Sequence, residues 1–206
     1  MKNQPKYALL FGANLSGKTT QGSELASRIG KGALHSDMSA IIKNRMNHDR
    51  KFREEFMEMM AAGDLLPCNV TSSLFMGHAH KIIHLWHVLT GFPRTLVQGI
   101  SFNQYMVNRY GLNSYLTNVI VIEIIITLEV ALLRAASRRQ KAIDKGEEPR
   151  PDDDPEVVTH RFERYKQESE PLMHYYREIG MTIHQTGLNA TQSSVSSQIW
   201  DFVKAF

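Results

Sequence analysis

Short, almost continuously apolar segments recur along the chain, separated by longer stretches in which apolar and charged positions are interleaved. Tyr7–Phe11, Ala33–Ser36, Leu85–Leu89, Val119–Ile126 and Met181–Gln185 make up the first set and predict strands. Several lack the in–out alternation of a half-exposed sheet, as expected when helices cover both faces of a parallel one. Thr19–Ile29, Ser39–Ala62, Val70–Ile83, Leu96–Arg109 and Glu129–Ile143 make up the second set and predict helices. One more helix begins at Asp154-Pro155-Glu156, with an Asp N-cap and a proline in its first turn, and runs towards Tyr176. Strands alternating with helices argue for an α/β doubly wound fold, and 206 residues suit one domain. The stretch KGEEPRPDDDP, residues 145–155, is charged and broken by three prolines, and reads as an exposed, mobile loop between helices.

Between the first strand and the first helix lies GANLSGKT, Gly12 to Thr19. It matches the phosphate-binding pattern G-x-x-x-x-G-K-[ST] in the strand-to-helix context that the pattern requires. Such a loop turns backbone N–H groups around phosphate oxygens, and the following helix presents its positive end. Lys18 then reaches the terminal phosphates, and the Thr19 hydroxyl reaches a magnesium ion. The loop therefore predicts a nucleoside triphosphate site. Arginines add to this: Arg94 follows the third strand, Arg134 and Arg138 share one helical face, Arg150 sits in the charged loop and Arg161 on the helix beyond it. Guanidinium forks match phosphate oxygens, although taken singly each of these residues is better read as a solvated surface arginine, with Glu147, Glu148, Asp152, Asp153 and Asp154 as nearby partners.

Composition changes this picture little. Hydrophobic residues make up 42% and charged residues 22%, values ordinary for a globular protein. The longest apolar run, Val119 to Thr127, is interrupted by Glu123 and is too short to span a bilayer. No secretory signal is visible, and the single cysteine, Cys68, suits a reducing cytoplasm. The net charge of +3 suits an anionic partner, but no basic stripe with interleaved aromatics points to nucleic acid.

GANLSGKTTQ, GDLLP, GFPRTLVQ, LLRAASRR and RPDDDPEVVTHRFERYKQESEPLMHYY occur in this order, and together they resemble the adenylate kinase family from about Tyr7 to Val203. The resemblance implies a five-stranded parallel sheet flanked by helices, a helical arm at residues 36–65 that binds a nucleoside monophosphate, and a short lid at residues 139–149. The core is then 1–35, 66–138 and 150–206. It implies reversible phosphoryl transfer from ATP to AMP with magnesium, by a cytoplasmic monomer that engages neither nucleic acid nor membrane. With no cysteine in the lid, the zinc-binding lid of some relatives is excluded. Carried over residue by residue, Lys18, Arg94, Arg138, Arg150 and Arg161 are the catalytic set. Gly12, Leu15, Ser16, Gly17, Lys18, Thr19, Thr20, Arg134 and Arg138 bind ATP. His35, Lys43, Leu66, Gly91, Arg94, Gln98, Arg150 and Arg161 bind the monophosphate, and Thr19 and Asp37 hold the metal. Thr95 and Gln98 favour AMP over UMP or CMP.

The departures bear on function. Where the family usually has Pro, Gly and Gly, this loop has Asn14, Leu15 and Thr19. His35 stands at an adenine-contacting threonine and Ala40 at an arginine that grips the AMP phosphate. Lys43, one helical turn on, either reaches that phosphate or is a solvated lysine. Thr90 stands where a strand-end aspartate usually holds magnesium's waters, which predicts a slower enzyme and predicts that Thr90→Asp raises activity. The alternatives to an active adenylate kinase are a kinase for another monophosphate, or a nucleotide-binding paralogue that regulates or scaffolds.

Overall fold

A computed structural model describes residues 4–61, 64–80, 85–188 and 190–206. Its strands are β1 Lys6–Phe11, β2 Ala33–Asp37, β3 Trp86–Thr90, β4 Val119–Ile124 and β5 Thr182–Thr186. They form one all-parallel sheet in the order β2-β3-β1-β4-β5. The helices are α1 Lys18–Ile29, α2 Met38–His48, α3 Arg50–Ala61, α4 Cys68–Ala79, α5 Leu96–Tyr110, α6 Leu112–Asn118, α7 Leu128–Asp144, α8 Pro155–Glu178 and α9 Gln192–Ala205. Because every strand runs the same way, all carboxyl ends meet at one edge. β2 and β3 lie on one side of β1, and β4 and β5 on the other, so that edge opens into a crevice at β1.

The apolar strands bury both faces. Tyr7, Leu9 and Phe11 point into a layer with Phe102, Tyr115 and Tyr176. The intervening Ala8 and Leu10 point the other way, against Leu25, Val195, Ile199 and Val203. Strand side chains alternate between faces, so β1 needs apolar residues at every position.

Several predicted boundaries move. The helix expected across Ser39–Ala62 is two helices. Asp49 is extended and interrupts the run, and its carboxylate accepts the Phe52 N–H at 3.0 Å to start α3. Helix α4 begins at Cys68 and runs to Ala79; the end predicted at Ile83 lies outside the described residues. Leu85 precedes β3, whereas Thr90 belongs to it. β4 stops at Ile124, and β5 is shifted to Thr182–Thr186. Helices α6 and α9 were not anticipated. α7 runs to Asp144, so residues 139–144 of the expected lid are helical, in line with the helix predicted over Glu129–Ile143. The loop expected over 145–155 also narrows. Pro151–Asp153 forms a 3-10 turn, and Asp153 is only 2% exposed. The charged segment buries this acid because Arg138 pairs with it.

α5 and α8 approach closely at Gly99, where a Cβ would run into the Leu172 side chain. Gly99→Ala is therefore expected to destabilise the fold by about 1–3 kcal/mol by overpacking. Leu172→Ala in the same chain should recover part of that loss, as measured by urea unfolding. Additive losses would show that the contact is not the cause.

Candidate active site

The loop from β1 to α1 is shaped by close approaches. Gly12 has φ 147°, and a Cβ there would stand 2.6 Å from the Ile124 carbonyl oxygen, so only glycine fits. Leu15 is left-handed at φ 64°, which costs a leucine about 1–2 kcal/mol. Its side chain packs with Ala131, Ala135 and Val158, which offsets that strain. The Lys18 ammonium donates to the Ala13 carbonyl at 2.6 Å, across the space that the loop encloses. Desolvation, helped by the Arg94 charge and opposed by Asp37, lowers its pKa to about 7.

Asp37 closes β2 and saturates both carboxylate oxygens. Oδ1 accepts the N–H groups of Ser39 at 2.7 Å and Ala40 at 3.3 Å, capping α2. Oδ2 accepts the hydroxyls of Thr19 at 2.7 Å and Thr90 at 3.2 Å. Burial opposes ionisation, but these four hydrogen bonds outweigh it and hold the carboxyl below its ordinary range. Since Thr90 donates to Asp37, its oxygen accepts from His35 Nε2 at 2.9 Å. That fixes the imidazole as the Nε2–H tautomer. Burial lowers the His35 pKa, against the pull of Asp37. Gly22 makes room for this ring: a Cβ there would lie 2.7 Å from His35 Nε2 and 2.9 Å from the Thr90 methyl.

Two cavities flank the loop. The first, of about 400 Å³, is lined by Gly12, Lys18, Lys43, Gly91, Arg94 and Arg161, among others. The second, of about 510 Å³, is lined by Leu15, Ser16, Gly17, Lys18, Thr19, Thr20, Arg134 and Arg138. Residues expected at the monophosphate and at ATP thus sort largely into separate, adjoining spaces. Arg94 folds over Gly91, where a Cβ would stand 3.2 Å from its Nη2. Its guanidinium faces the cavity but is crowded by protein atoms. That desolvation lowers its pKa, Asp37 opposes the shift, and Arg161 adds to it.

His35, Leu66, Gln98 and Arg150, expected to bind the monophosphate, are not among the residues that line the first cavity. His35 points at Thr90 and α1. Leu66 is buried in the main core. Gln98 is 1% exposed and uses its Oε1 to accept the Arg94 N–H at 2.8 Å. Arg150 is exposed beside the 3-10 turn. Arg134 donates to the Leu15 carbonyl at 2.9 Å, at the rim of the second cavity. Arg138 clasps Asp153, and Arg161 donates to Asp152 at 3.1 Å. Sequence reading missed Asp64, whose carboxylate accepts from Arg164 at 2.6 Å across the first cavity's rim. It also missed Tyr165, which lines that cavity and donates to Glu123 at 3.1 Å. Neither pair is close in sequence, so no spacing signal marks them.

A parallel sheet whose first strand feeds a phosphate loop, with cations lining two adjoining cavities, defines a nucleotide-binding phosphoryl-transfer fold. A model of the adenylate kinase family matches residues 10–181, and the chain belongs to that family. It is a phosphotransferase, a nucleoside monophosphate kinase. Adenylate kinase of Pyrococcus horikoshii is 24% identical, covering 95% of this chain and 93% of the relative. Adenylate kinase of Thermus thermophilus is 28% identical, covering 87% and 88%. Adenylate kinase of Chlamydia trachomatis serovar D is 26% identical, covering 100% and 93%.

The geometry around Thr90 reverses the expectation for Thr90→Asp. Thr90 is 1% exposed and gives its proton to Asp37. A carboxylate there removes that donor and sets a second negative charge against Asp37 in a buried place. Thr90→Asp is expected to lower turnover at least about 10-fold, the scale of losing a metal-site supporting partner. Magnesium titrations of both proteins check this; higher turnover in the variant at any magnesium concentration would restore the simpler reading.

Proposed function

We propose that the chain transfers the terminal phosphoryl group of ATP reversibly to AMP, giving two ADP, in the cytoplasm and as a monomer. One observation carries the reading: the two cavities adjoin at Lys18, with Arg94 and Arg161 on one wall and Arg134 and Arg138 on the other. In-line transfer asks the protein mainly for alignment and positive charge. An AMP phosphate oxygen in the first cavity attacks the terminal phosphorus of ATP in the second, and ADP leaves with the bridging oxygen. Lys18 spans both substrates. Lys43 lines the first cavity beside Ser39 and takes over the monophosphate contact that Ala40 lacks. Helices α2 and α3 act as the monophosphate arm, and residues 145–150 as the short lid.

Arg138 and Arg161 are held by Asp153 and Asp152, which are competing anions. Binding of two nucleotides offers phosphate oxygens to the same guanidiniums and draws them inward. The Thr19 hydroxyl gives its proton to Asp37 and keeps a hard oxygen lone pair that fits magnesium, and Asp37 would join it only by exchanging one of its hydrogen bonds for the ion. When bound, magnesium supplies charge neutralisation between phosphate oxygens.

A second acceptor has one observation in its favour. Gln98 spends its carbonyl on the Arg94 backbone, and its Nε2 lies 3.9 Å from the Cys68 sulfur. The base it meets must therefore offer an acceptor, which adenine N1 and cytosine N3 both do. A panel of AMP, CMP, UMP and GMP with magnesium and ATP tests the assignment through ADP formation. AMP is expected to be turned over fastest, and Lys18→Ala to lose at least about 100-fold with every acceptor, since it removes the loop's only cation. Near-normal turnover by Lys18→Ala would sink the site assignment.

A two-nucleotide mimic that joins both substrates should slow amide exchange in residues 145–150 and in α2 and α3. Arginines on those segments and their neighbours must converge to exclude water. Unchanged exchange in both regions at saturation would rule out closure.

A further inference from the structure

Asn14 stands at the turn of the phosphate loop, and it and Lys18 are the residues that the two cavity walls have in common. Its Nδ2 is buried and has no hydrogen-bond partner among the described residues. Leaving a buried donor unpaired costs about 1–3 kcal/mol, so such a group calls for a ligand or another physical reason. The surroundings specify the ligand's charge. Lys18 and Arg94 both line this space, crowded by protein atoms, and the pKa of each is lowered in part by repulsion from a neighbouring cation. An anion in this space relieves that repulsion and accepts from the amide. A phosphoryl oxygen accepts only, so it selects the N–H₂ end of the carboxamide. The adenylate kinases that the loop resembles usually carry proline here, which has no side-chain donor.

We propose that Asn14 is a catalytic residue: its side-chain amide donates a hydrogen bond to a non-bridging oxygen of the phosphoryl group in transit between the two nucleotides. The proposal rests on the phosphoryl-transfer reading above. Bonding to the P–O bond being broken and the one being formed is unchanged by it. Asn14 keeps its protons and stabilises charge on the migrating group, where a fixed donor is worth more than water because it needs no reorganisation. Together with Lys18 it forms a two-point cradle at the junction, so the effect falls on turnover more than on either nucleotide's binding.

Asn14→Leu keeps the side-chain shape without the donor, and Asn14→Ala removes both. Each is expected to lower kcat about 100-fold, the scale of losing one donor to a developing oxyanion, while KM for ATP and AMP stays within about threefold. A second measurement does not need turnover. Calorimetry follows fluoride-dependent trapping of ADP and AMP with aluminium fluoride, a planar stand-in for the phosphoryl group. The wild type should form this ternary complex, and Asn14→Leu should weaken it at least about tenfold, with ADP and AMP binding alone unchanged. If the wild type turns over no monophosphate, the functional reading fails, but the trapped complex still reports on Asn14. Unchanged kcat and unchanged trapping in Asn14→Leu overturn the proposal. So does a wild type that forms no fluoride-dependent complex, or a loss confined to KM or to folding stability.

Discussion

Asp37 ties together four parts of the molecule that the chain visits at different times. Its carboxylate ends β2, caps α2 through Ser39 and Ala40, receives Thr19 from the phosphate loop's helix, and receives Thr90 from β3. A buried carboxylate survives only when its oxygens are satisfied, and here each takes two hydrogen bonds. The arrangement sets the distance between the phosphate loop and the start of α2. It also places one negative charge beneath the cations: Asp37 is the group that opposes the depression of both Lys18 and Arg94.

The rest of the site follows from holding positive charge in a partly dry place before any phosphate arrives. Lys18 leans on the Ala13 carbonyl, and Arg138 and Arg161 lean on Asp153 and Asp152. These contacts stand in for the substrate. They keep the cations near their working positions, and each can be exchanged for a phosphate oxygen. Arg94 lies between charges of both signs: Asp37 opposes the lowering of its pKa, and Arg161 adds to it. The loop–helix architecture thus gathers like charges that an anion in this space would relieve.

Much of this was legible in the chain. The phosphate loop, the five strands and most helices follow from local pattern, because a buried parallel strand needs unbroken apolar residues and the loop needs glycine at Gly12. What was not legible depends on partners distant in sequence. The break at Asp49 hides inside a run with helical composition, and only its capping of Phe52 reveals it. Helix α9 shows mostly small polar residues, and its apolar positions Val195, Ile199 and Val203 gain meaning only against Leu10 and Leu25. Residues 145–155 looked uniformly exposed by charge. Asp153 is nevertheless buried, because Arg138 comes from another helix to meet it. In the site, the phosphate loop was readable from motif spacing and Arg94, Arg138 and Arg161 were singled out only through the family resemblance, whereas the direction of the His35 side chain was not readable.

That direction changes how the chain's departures from its family are to be weighed. Taken singly, a histidine for an adenine contact and a threonine for a metal carboxylate each look like loss. In three dimensions they are one contact: His35 donates to Thr90, and Thr90 donates to Asp37. Gly22, on the facing helix, leaves the space in which the ring lies. An imidazole in that place excludes a side chain at position 22. A carboxylate at position 90 cannot give Asp37 the proton that Thr90 gives. Asp37 in turn keeps its bond to Thr19, the hydroxyl that follows Lys18. Erosion of an unused site would leave unfilled space and unpaired polar atoms, since nothing would select one substitution to fit another. Here three positions fit, and their hydrogen bonds converge on the carboxylate that anchors the site. The substitutions at 35 and 90, with Gly22 leaving room for the ring, therefore read as a repacking around Asp37.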